Sequence, residues 1–188
     1  TFKIKPNPEI EANGYIKLNI EKYGGMLLSP WFDRPLSVAG RVFINNNGSI
    51  EEKLINIPRP LLSIVNLAIH QNRTANDGIK YSVQKELLPI FTQGNDKKAF
   101  TDLIAKEANC KPEELLDWDL FLYNMSEPTI WGLNNEFFSS PKIDDLQCAY
   151  SAFKAILDSK PSDRIAIISL FDNEEVGSLT KQGANSTF

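Results

Sequence analysis

Histidine and cysteine, two of the side chains that most often bind zinc, are scarce in this sequence. The 188 residues include one histidine, His70, and two cysteines, Cys110 and Cys148, which lie far apart. Zinc fingers need closely spaced cysteines or histidines, and disulfide scaffolds need several cysteine pairs, so both classes are excluded. Because disulfides are rare in reducing compartments, this cysteine usage favours a cytoplasmic protein.

Clustered positive charge and long apolar stretches are also lacking. The net charge is −4 and the lysines and arginines are scattered singly, which excludes the basic stripe of a nucleic-acid-binding surface. No apolar run approaches the ~20 residues that span a bilayer, so we expect no membrane partner. With 42% hydrophobic residues, the chain can bury the core of one or two domains.

An acidic cluster follows the most apolar stretch of the chain. Residues 165–171 form a nearly unbroken apolar run, which predicts a strand buried on both faces. Asp172, Glu174 and Glu175 come next, where the carboxyl end of a parallel strand would border a ligand crevice. There, one glutamate could bind a cation while its neighbour accepts a proton, with Gly177 allowing a tight turn. The alternative is a solvated acidic loop that caps a following helix.

The first part of the chain shows the alternation and turn signals of a small β-rich unit. A short strand is predicted before Pro6 and Pro8, and further strands at 15–20, 38–44 and 50–57, with an Asn-Gly hairpin at 45–49. The later segments are a strand or short helix at 81–91, helices beginning at 99 and at Pro112, a strand at 120–123 and a helix at 145–159.

A second acidic pair, Asp144 and Asp145, lies at the start of the predicted helix 145–159. Taken alone, an aspartate here is a helix cap. If this helix packs antiparallel to the strand that follows it, however, Asp144 converges with Glu174 and Glu175. Converging carboxylates repel one another unless cations neutralise them, so this arrangement favours a metal site.

Four motifs in register carry a resemblance that covers almost the whole chain. They are YGGMLLSPWFDRPLSVAGRV, PRPLLSIVNLAIH, SSPKIDDLQCAYSAFKAIL and FDNEEVGS. Together they resemble the aspartyl aminopeptidase family, dinuclear zinc exopeptidases that include the vacuolar aminopeptidase I type. The resemblance implies an α/β fold, namely part of a zinc-exopeptidase α/β/α sandwich with an inserted β-rich dimerisation domain. Residues 1–9 and 128–188 would belong to the catalytic domain and residues 10–127 to the insert.

The resemblance also implies a role for individual residues. Asp144 would bridge two zinc ions, and a cis peptide bond would follow it. Glu174 would be the general base that activates the bridging water, and Glu175 a terminal zinc ligand. His70 would reach across a subunit interface and contact substrate in the neighbouring active site. On the residues alone, a single histidine after an apolar segment is more simply a packed or surface residue.

The implied activity is removal of the N-terminal residue from peptides, with aspartate or glutamate preferred in one branch of the family and leucine-like residues in the other. Cobalt or manganese could replace zinc in such a carboxylate-rich site. Dimers and a dodecamer are the implied assemblies. The remaining zinc ligands would lie upstream of Thr1 and downstream of Phe188, so the chain is expected to be a fragment. A molecule of only these residues would instead be an inactive oligomerisation or binding module.

Overall fold

The chain is divided into two units, residues 1–125 and residues 126–188. The computed structural model describes residues 1–160, 163–171 and 174–187. The first unit is built on a six-stranded sheet, whereas the second contains a two-stranded ribbon and a helix. None of the helices in these described ranges is long and apolar enough to cross a bilayer.

Every strand pair in the sheet of the first unit is antiparallel. The order across the sheet is β4-β3-β6-β1-β2-β5. The strands are β1 (Phe2–Ala12), β2 (Tyr15–Lys22), β3 (Leu36–Asn46), β4 (Ser49–Asn56), β5 (Ile90–Gln93) and β6 (Leu115–Asn124), and helix α1 (Ala99–Glu107) lies between β5 and β6 in sequence. The pairing of β6 with β1 and β3 therefore joins the two ends of the unit.

Side chains that alternate along the strands build the core on one face of this sheet. In β2, Ile16, Leu18 and Ile20 are fully buried while the polar residues between them are partly exposed. Two apolar residues of α1, Phe100 and Ile104, are fully buried in the same cluster. Burial of this apolar surface, at about 25 cal/mol per Å², is the main term that holds the helix on the sheet.

Several local predictions are confirmed in the first unit. The hairpin between β3 and β4 turns at Asn47 and Gly48, whose φ angles of 52° and 90° suit the Asn-Gly pair. The helix predicted at 99–108 is α1, which ends at Glu107. The predicted strand at 120–123 is the second half of β6.

Three predictions for the first unit are wrong or incomplete. The helix predicted at 112–116 is a single 3-10 turn, Pro112–Glu114, because β6 begins at Leu115 and its pairing with β3 overrides the local helical signals. β1 does not break at its prolines. Its register on β2 shifts between Ile4 and Glu9, and proline, which has no N–H to donate, is tolerated at such an irregularity in the hydrogen-bond ladder. Within residues 81–91, only the last two belong to a strand, β5.

In the second unit, β7 (Thr129–Trp131) pairs with β8 (Phe137–Ser139), and helix α2 spans Ile143–Asp158. The helix predicted at 145–159 is therefore confirmed with a slightly earlier start. Its apolar stripe, Leu146, Tyr150, Phe153 and Leu157, is at least half exposed in the described structure.

The buried strand predicted at 165–171 is not formed. This segment has no regular secondary structure, and the exposed fractions of Ile165, Ile167 and Leu170 are 90%, 78% and 59%. A strand needs a hydrogen-bonded neighbour, and among the described residues of this unit only β7 and β8 pair as strands. In the described residues, the apolar composition therefore predicted neither the strand nor its burial correctly.

The predicted assignment of residues 1–9 and 128–188 to a catalytic domain, and of 10–127 to an insert, stays a prediction. In the structure, residues 1–9 belong to the unit that ends at Met125, because β1 lies between β6 and β2 in the sheet.

Gly40 provides a test of the close packing between β3 and β6. A Cβ atom at Gly40 would lie 2.0 Å from the backbone oxygen of Asp119, and both atoms belong to paired strands that cannot move apart without losing their ladder. We expect Gly40→Ala to destabilise the unit by roughly 1–3 kcal/mol. Urea unfolding followed by circular dichroism measures this.

Gly25→Ala is the matched control, because a Cβ at Gly25 meets no atom within 4 Å. Its effect should stay within about 0.5 kcal/mol. Equal stabilities of the two variants would contradict the described β3–β6 packing.

Candidate metal and catalytic site

The first acidic segment of the candidate site is the beginning of α2. Asp144 has non-helical backbone angles, φ −82° and ψ 115°, although it lies within the bounds of the helix. The peptide bond between Asp144 and Asp145 is cis, as the family resemblance implies. The regular helix thus begins after this bond, and the two aspartates sit at its positive end, where negative charge is stabilised.

The second acidic segment is a 3-10 turn, Glu174–Val176. The N–H of Gly177 donates to the backbone oxygen of Glu174 at 2.9 Å, and the φ of Gly177 is 107°. This confirms the predicted glycine turn, because the left-handed region is open to glycine at little cost. Asp172, the third member of the predicted acidic cluster, lies outside the described residues.

One cavity of about 590 Å³ brings the two acidic segments of the second unit together. Asp145 lines it from the start of α2, and Glu174 lines it from the turn. Asp144 and Glu175, the neighbours of these residues, are not among its described lining. The apolar and small lining residues are Leu146, Cys148, Ala149, Ala152, Ser169, Leu170, Phe171 and Ala184.

The cavity can hold a polar molecule, because two carboxylates line it and the rest of its wall is mainly apolar. Carboxylate oxygens are suitable zinc ligands. However, no group of three or more histidine, cysteine, aspartate or glutamate side chains in the described part of the chain is arranged to hold a metal ion. The described residues therefore do not by themselves form a complete zinc site. The roles of Asp144, Glu174 and Glu175 stay predictions.

His70 lies in the first unit, on an exposed turn of the segment between β4 and β5. The backbone N–H of Gln71 donates to Ala68 O at 2.8 Å across this turn. As the ordinary interpretation of a single histidine allowed, it is a surface residue of this chain. An exposed imidazole is available to a neighbouring molecule, but its predicted role in trans stays a prediction.

Asp33 fixes the beginning of the segment that carries His70. Its Oδ1 accepts the backbone N–H of Asn66 at 3.0 Å, and its Oδ2 accepts the side-chain amide of Asn66 at 2.8 Å. The N–H of Asp33 donates to Ile64 O at 2.8 Å. The backbone hydrogen bond from Asn66, followed by the side-chain bond, lowers the pKa of the Asp33 carboxyl below its usual value.

Sequence reasoning missed the two hydrogen bonds from Asn66 to the Asp33 carboxylate, which we call the Asp33 clamp. It also missed the position of Asp145 in the cavity. Asp33 and Asn66 are 33 residues apart, and no local pattern indicates their pairing. The only available signal was that Asp33 lies within one of the motifs that carry the family resemblance. Asp145 was predicted only to lie at the start of the helix, and its place in the cavity follows from the position of α2.

Cys110 is not a candidate nucleophile. Burial, followed by the negative charge of Glu114, raises the pKa of the Cys110 thiol, against a smaller opposing effect of Lys53. The reactive form of cysteine is the thiolate, so a raised pKa lowers the reactivity of this side chain near neutral pH.

Comparison with known proteins identifies the family. The model of the aminopeptidase I zinc metalloprotease family, M18, matches residues 1–188. This chain belongs to the M18 family. A probable M18 family aminopeptidase 2 from Clostridium acetobutylicum is 48% identical over 195 residues, which cover 100% of this chain and 45% of that protein. The chain thus spans about half the length of the curated relatives it matches.

Solved structures of M18 proteins share the fold. In a complex of Ape4 and Nbr1, a chain 32% identical in sequence superimposes with a TM-score of 0.87, covering 100% of this chain and 41% of that chain. The dodecamer of mApe1 from S. cerevisiae gives a TM-score of 0.77 at 30% identity, covering 98% of this chain and 43% of that chain. The predicted fold class, a partial α/β fold of the zinc-aminopeptidase type with a β-rich unit, is confirmed.

The Asp33 clamp predicts a specific acid dependence of stability in this M18 chain. Because the folded-state pKa is lowered, the clamp stabilises the native state above about pH 4 and is lost as the pH falls through the folded-state value. Asp33→Asn should therefore lose less stability than the parent chain between about pH 6 and pH 2.5. Urea unfolding at both pH values measures the difference.

Asp77→Asn, which changes an exposed aspartate of the same segment, is the control and should retain the acid dependence of the parent chain. An unchanged acid dependence in Asp33→Asn would show that the clamp does not contribute to stability.

Proposed function

We propose that the full-length protein is a zinc aminopeptidase that removes the N-terminal residue of peptides, with Glu174 as the general base. The observation that carries this proposal is the match of the M18 family model to all 188 residues. The cavity lined by both Asp145 and Glu174 supports it, because it offers space for a substrate beside the proposed base. Aspartate and glutamate are the proposed N-terminal residues, following the family resemblance.

Asp144 and Glu175 are the proposed zinc ligands of this chain. Their carboxylates suit zinc, and each is adjacent in sequence to a residue that lines the cavity. Two carboxylates do not complete a pair of zinc sites, so the remaining ligands must come from other parts of the protein. The family's relatives are more than twice as long as this chain, which leaves ample sequence for them.

Glu174 would act by moving one proton. Zinc, when bound, supplies Lewis-acid chemistry that makes water acidic near neutral pH and polarises a peptide carbonyl. The Glu174 carboxylate accepts the proton of the attacking water and returns it to the departing amine. Glu174 lies on a tight turn that is closed by the backbone hydrogen bond from Gly177.

Self-association is part of the same proposal. The mApe1 protein of S. cerevisiae forms a dodecamer, and this chain shares its fold. We infer that the protein assembles as dimers and further into a dodecamer in the cytoplasm. In each dimer, the exposed His70 of one subunit would contact substrate in the active site of the other.

Substitution of Glu174 tests the catalytic role. In the full-length protein, Glu174→Gln should lower kcat on aspartyl or glutamyl chromogenic substrates by about 10²–10⁴-fold, because the amide cannot accept the proton. Zinc content, measured by plasma emission spectrometry, should not change, since Glu174 is not a proposed ligand. A chelator should abolish the activity of the unsubstituted protein.

Glu127→Gln, at an exposed position of the same unit, should retain full activity. Unchanged turnover in Glu174→Gln would refute the assignment of the base. A full-length protein that holds no zinc and cleaves no aminoacyl substrate would refute the aminopeptidase proposal itself and favour a binding module.

Mixed oligomers test the role of His70 in trans. His70→Ala and Glu174→Gln proteins should each have low activity, but a mixed dimer contains one site with both native residues. Random mixing after dissociation should restore about one quarter of the parent activity. If mixing restores nothing while mixed dimers are detected by mass spectrometry, His70 does not act across the interface.

A further inference from the structure

The outer strand β4 has an open edge in the six-stranded sheet. It pairs with β3 without a register shift, from Ala39 opposite Asn56 to Asn46 opposite Ser49. Among the described residues of the first unit, no strand pairs with its other side. An unpaired edge presents a row of N–H and C=O groups that can pair with another strand.

The hydrogen bonding to β3 shows which residues of β4 face this edge. The N–H of Ile57, directly after β4, donates to Val38 O at 3.0 Å. In a regular antiparallel ladder, the odd-numbered residues of β4 then bond to β3, and the even-numbered ones present their backbone groups outward. The outward residues are Ile50, Glu52, Leu54 and Asn56.

The two edges of the sheet differ in how well they are protected against pairing with a strand of another molecule. β5, at the far edge, has four residues, follows Pro89, and shifts register on β2. β4 has eight residues, no proline and no bulge, and its side chains Ile50 and Leu54 are 75% and 81% exposed. Natural proteins usually shorten, bulge or charge an exposed edge. β4 carries charge at Glu51, Glu52 and Lys53, but it is long and regular and exposes two large apolar side chains, which is characteristic of an interface.

We propose that β4 pairs antiparallel with β4 of a second copy, with Glu52 on the two-fold axis, and that this pairing forms the dimer. The proposal rests on the self-association proposed above and names its surface. In this register, Ile50 lies opposite Leu54 of the partner subunit on one face of the joined sheet. On the other face, Glu51 lies opposite Lys53 of the partner subunit. Both pairings occur twice because the interface is symmetric.

The sequence SIEEKLIN is self-complementary in this register and not in its neighbours. Moving the axis by one residue places either Lys53 or Glu51 opposite its own copy and sets Glu52 against an apolar residue. Like charges directly opposite each other destabilise a sheet, as does a lost apolar pair. In the proposed register the two Glu52 side chains face each other, but in each copy the Arg41 guanidinium lies 3.7 Å from Glu52 of the same chain and offsets their repulsion.

Cysteine cross-linking tests the register directly. In a chain whose own cysteines are replaced, with Cys110→Ala and Cys148→Ser, Glu52→Cys should form a disulfide-linked dimer under mild oxidation. Opposed residues on the axis have Cα atoms about 5.5 Å apart, within the range of a disulfide. Glu51→Cys is the matched control, because its copies would be about 8 Å apart and should cross-link far less.

A second pair of variants separates this proposal from self-association in general. Leu54→Lys should convert dimers to monomers in sedimentation velocity, whereas Leu27→Lys, at a 78% exposed residue outside the sheet, should not. Dimers that persist in Leu54→Lys, or equal cross-linking of Glu51→Cys and Glu52→Cys, would overturn the β4 interface while leaving self-association intact. A parent chain that is monomeric at all concentrations would refute both.

Discussion

Repulsion between carboxylates is the constraint on which the functional account depends. Asp145 and Glu174 line one cavity, and each has a second acidic neighbour, Asp144 and Glu175. Carboxylates that converge are disfavoured unless cations or the positive end of a helix balance them. The start of α2 supplies some of this balance. Zinc, which gives the M18 family its description, would supply the rest.

The first unit holds the long irregular segment between β4 and β5 on a six-stranded sheet. β6, the last strand of the unit, lies inside the sheet, pairs with β1 and β3, and buries Leu120 and Leu122. The segment with His70 leaves this sheet beyond Ile64 and is fixed by the clamp between Asp33 and Asn66. A unit with an exposed histidine and an open strand edge is suited to contacts between subunits.

Local patterns predicted the structure well wherever the structure is local. Alternation and an Asn-Gly turn identified β2 and the β3–β4 hairpin, and helical spacing identified α1 and α2. The helix expected at 112–116 failed because its favourable first turn could not compete with the pairing of β6 across the sheet. The strand expected at 165–171 failed because a buried strand depends on neighbours that no local pattern specifies. For the site, the convergence of Asp144 with Glu174 and Glu175 was predicted from antiparallel packing of the helix beside a strand at 165–171. That strand is not formed, the cavity is lined by Asp145 and Glu174, and the convergence stays a prediction. The Asp33 clamp joins distant residues and had no local signal.

The most direct test is to locate the metal in crystals of the full-length protein loaded with zinc. Anomalous diffraction on the two sides of the zinc absorption edge identifies zinc without assumptions about its ligands. The account predicts two anomalous peaks about 3.5–4 Å apart. The Asp144 carboxylate should contact both peaks, and the Glu175 carboxylate should contact one of them. Zinc peaks remote from Asp144 and Glu175, or none at all, would contradict it.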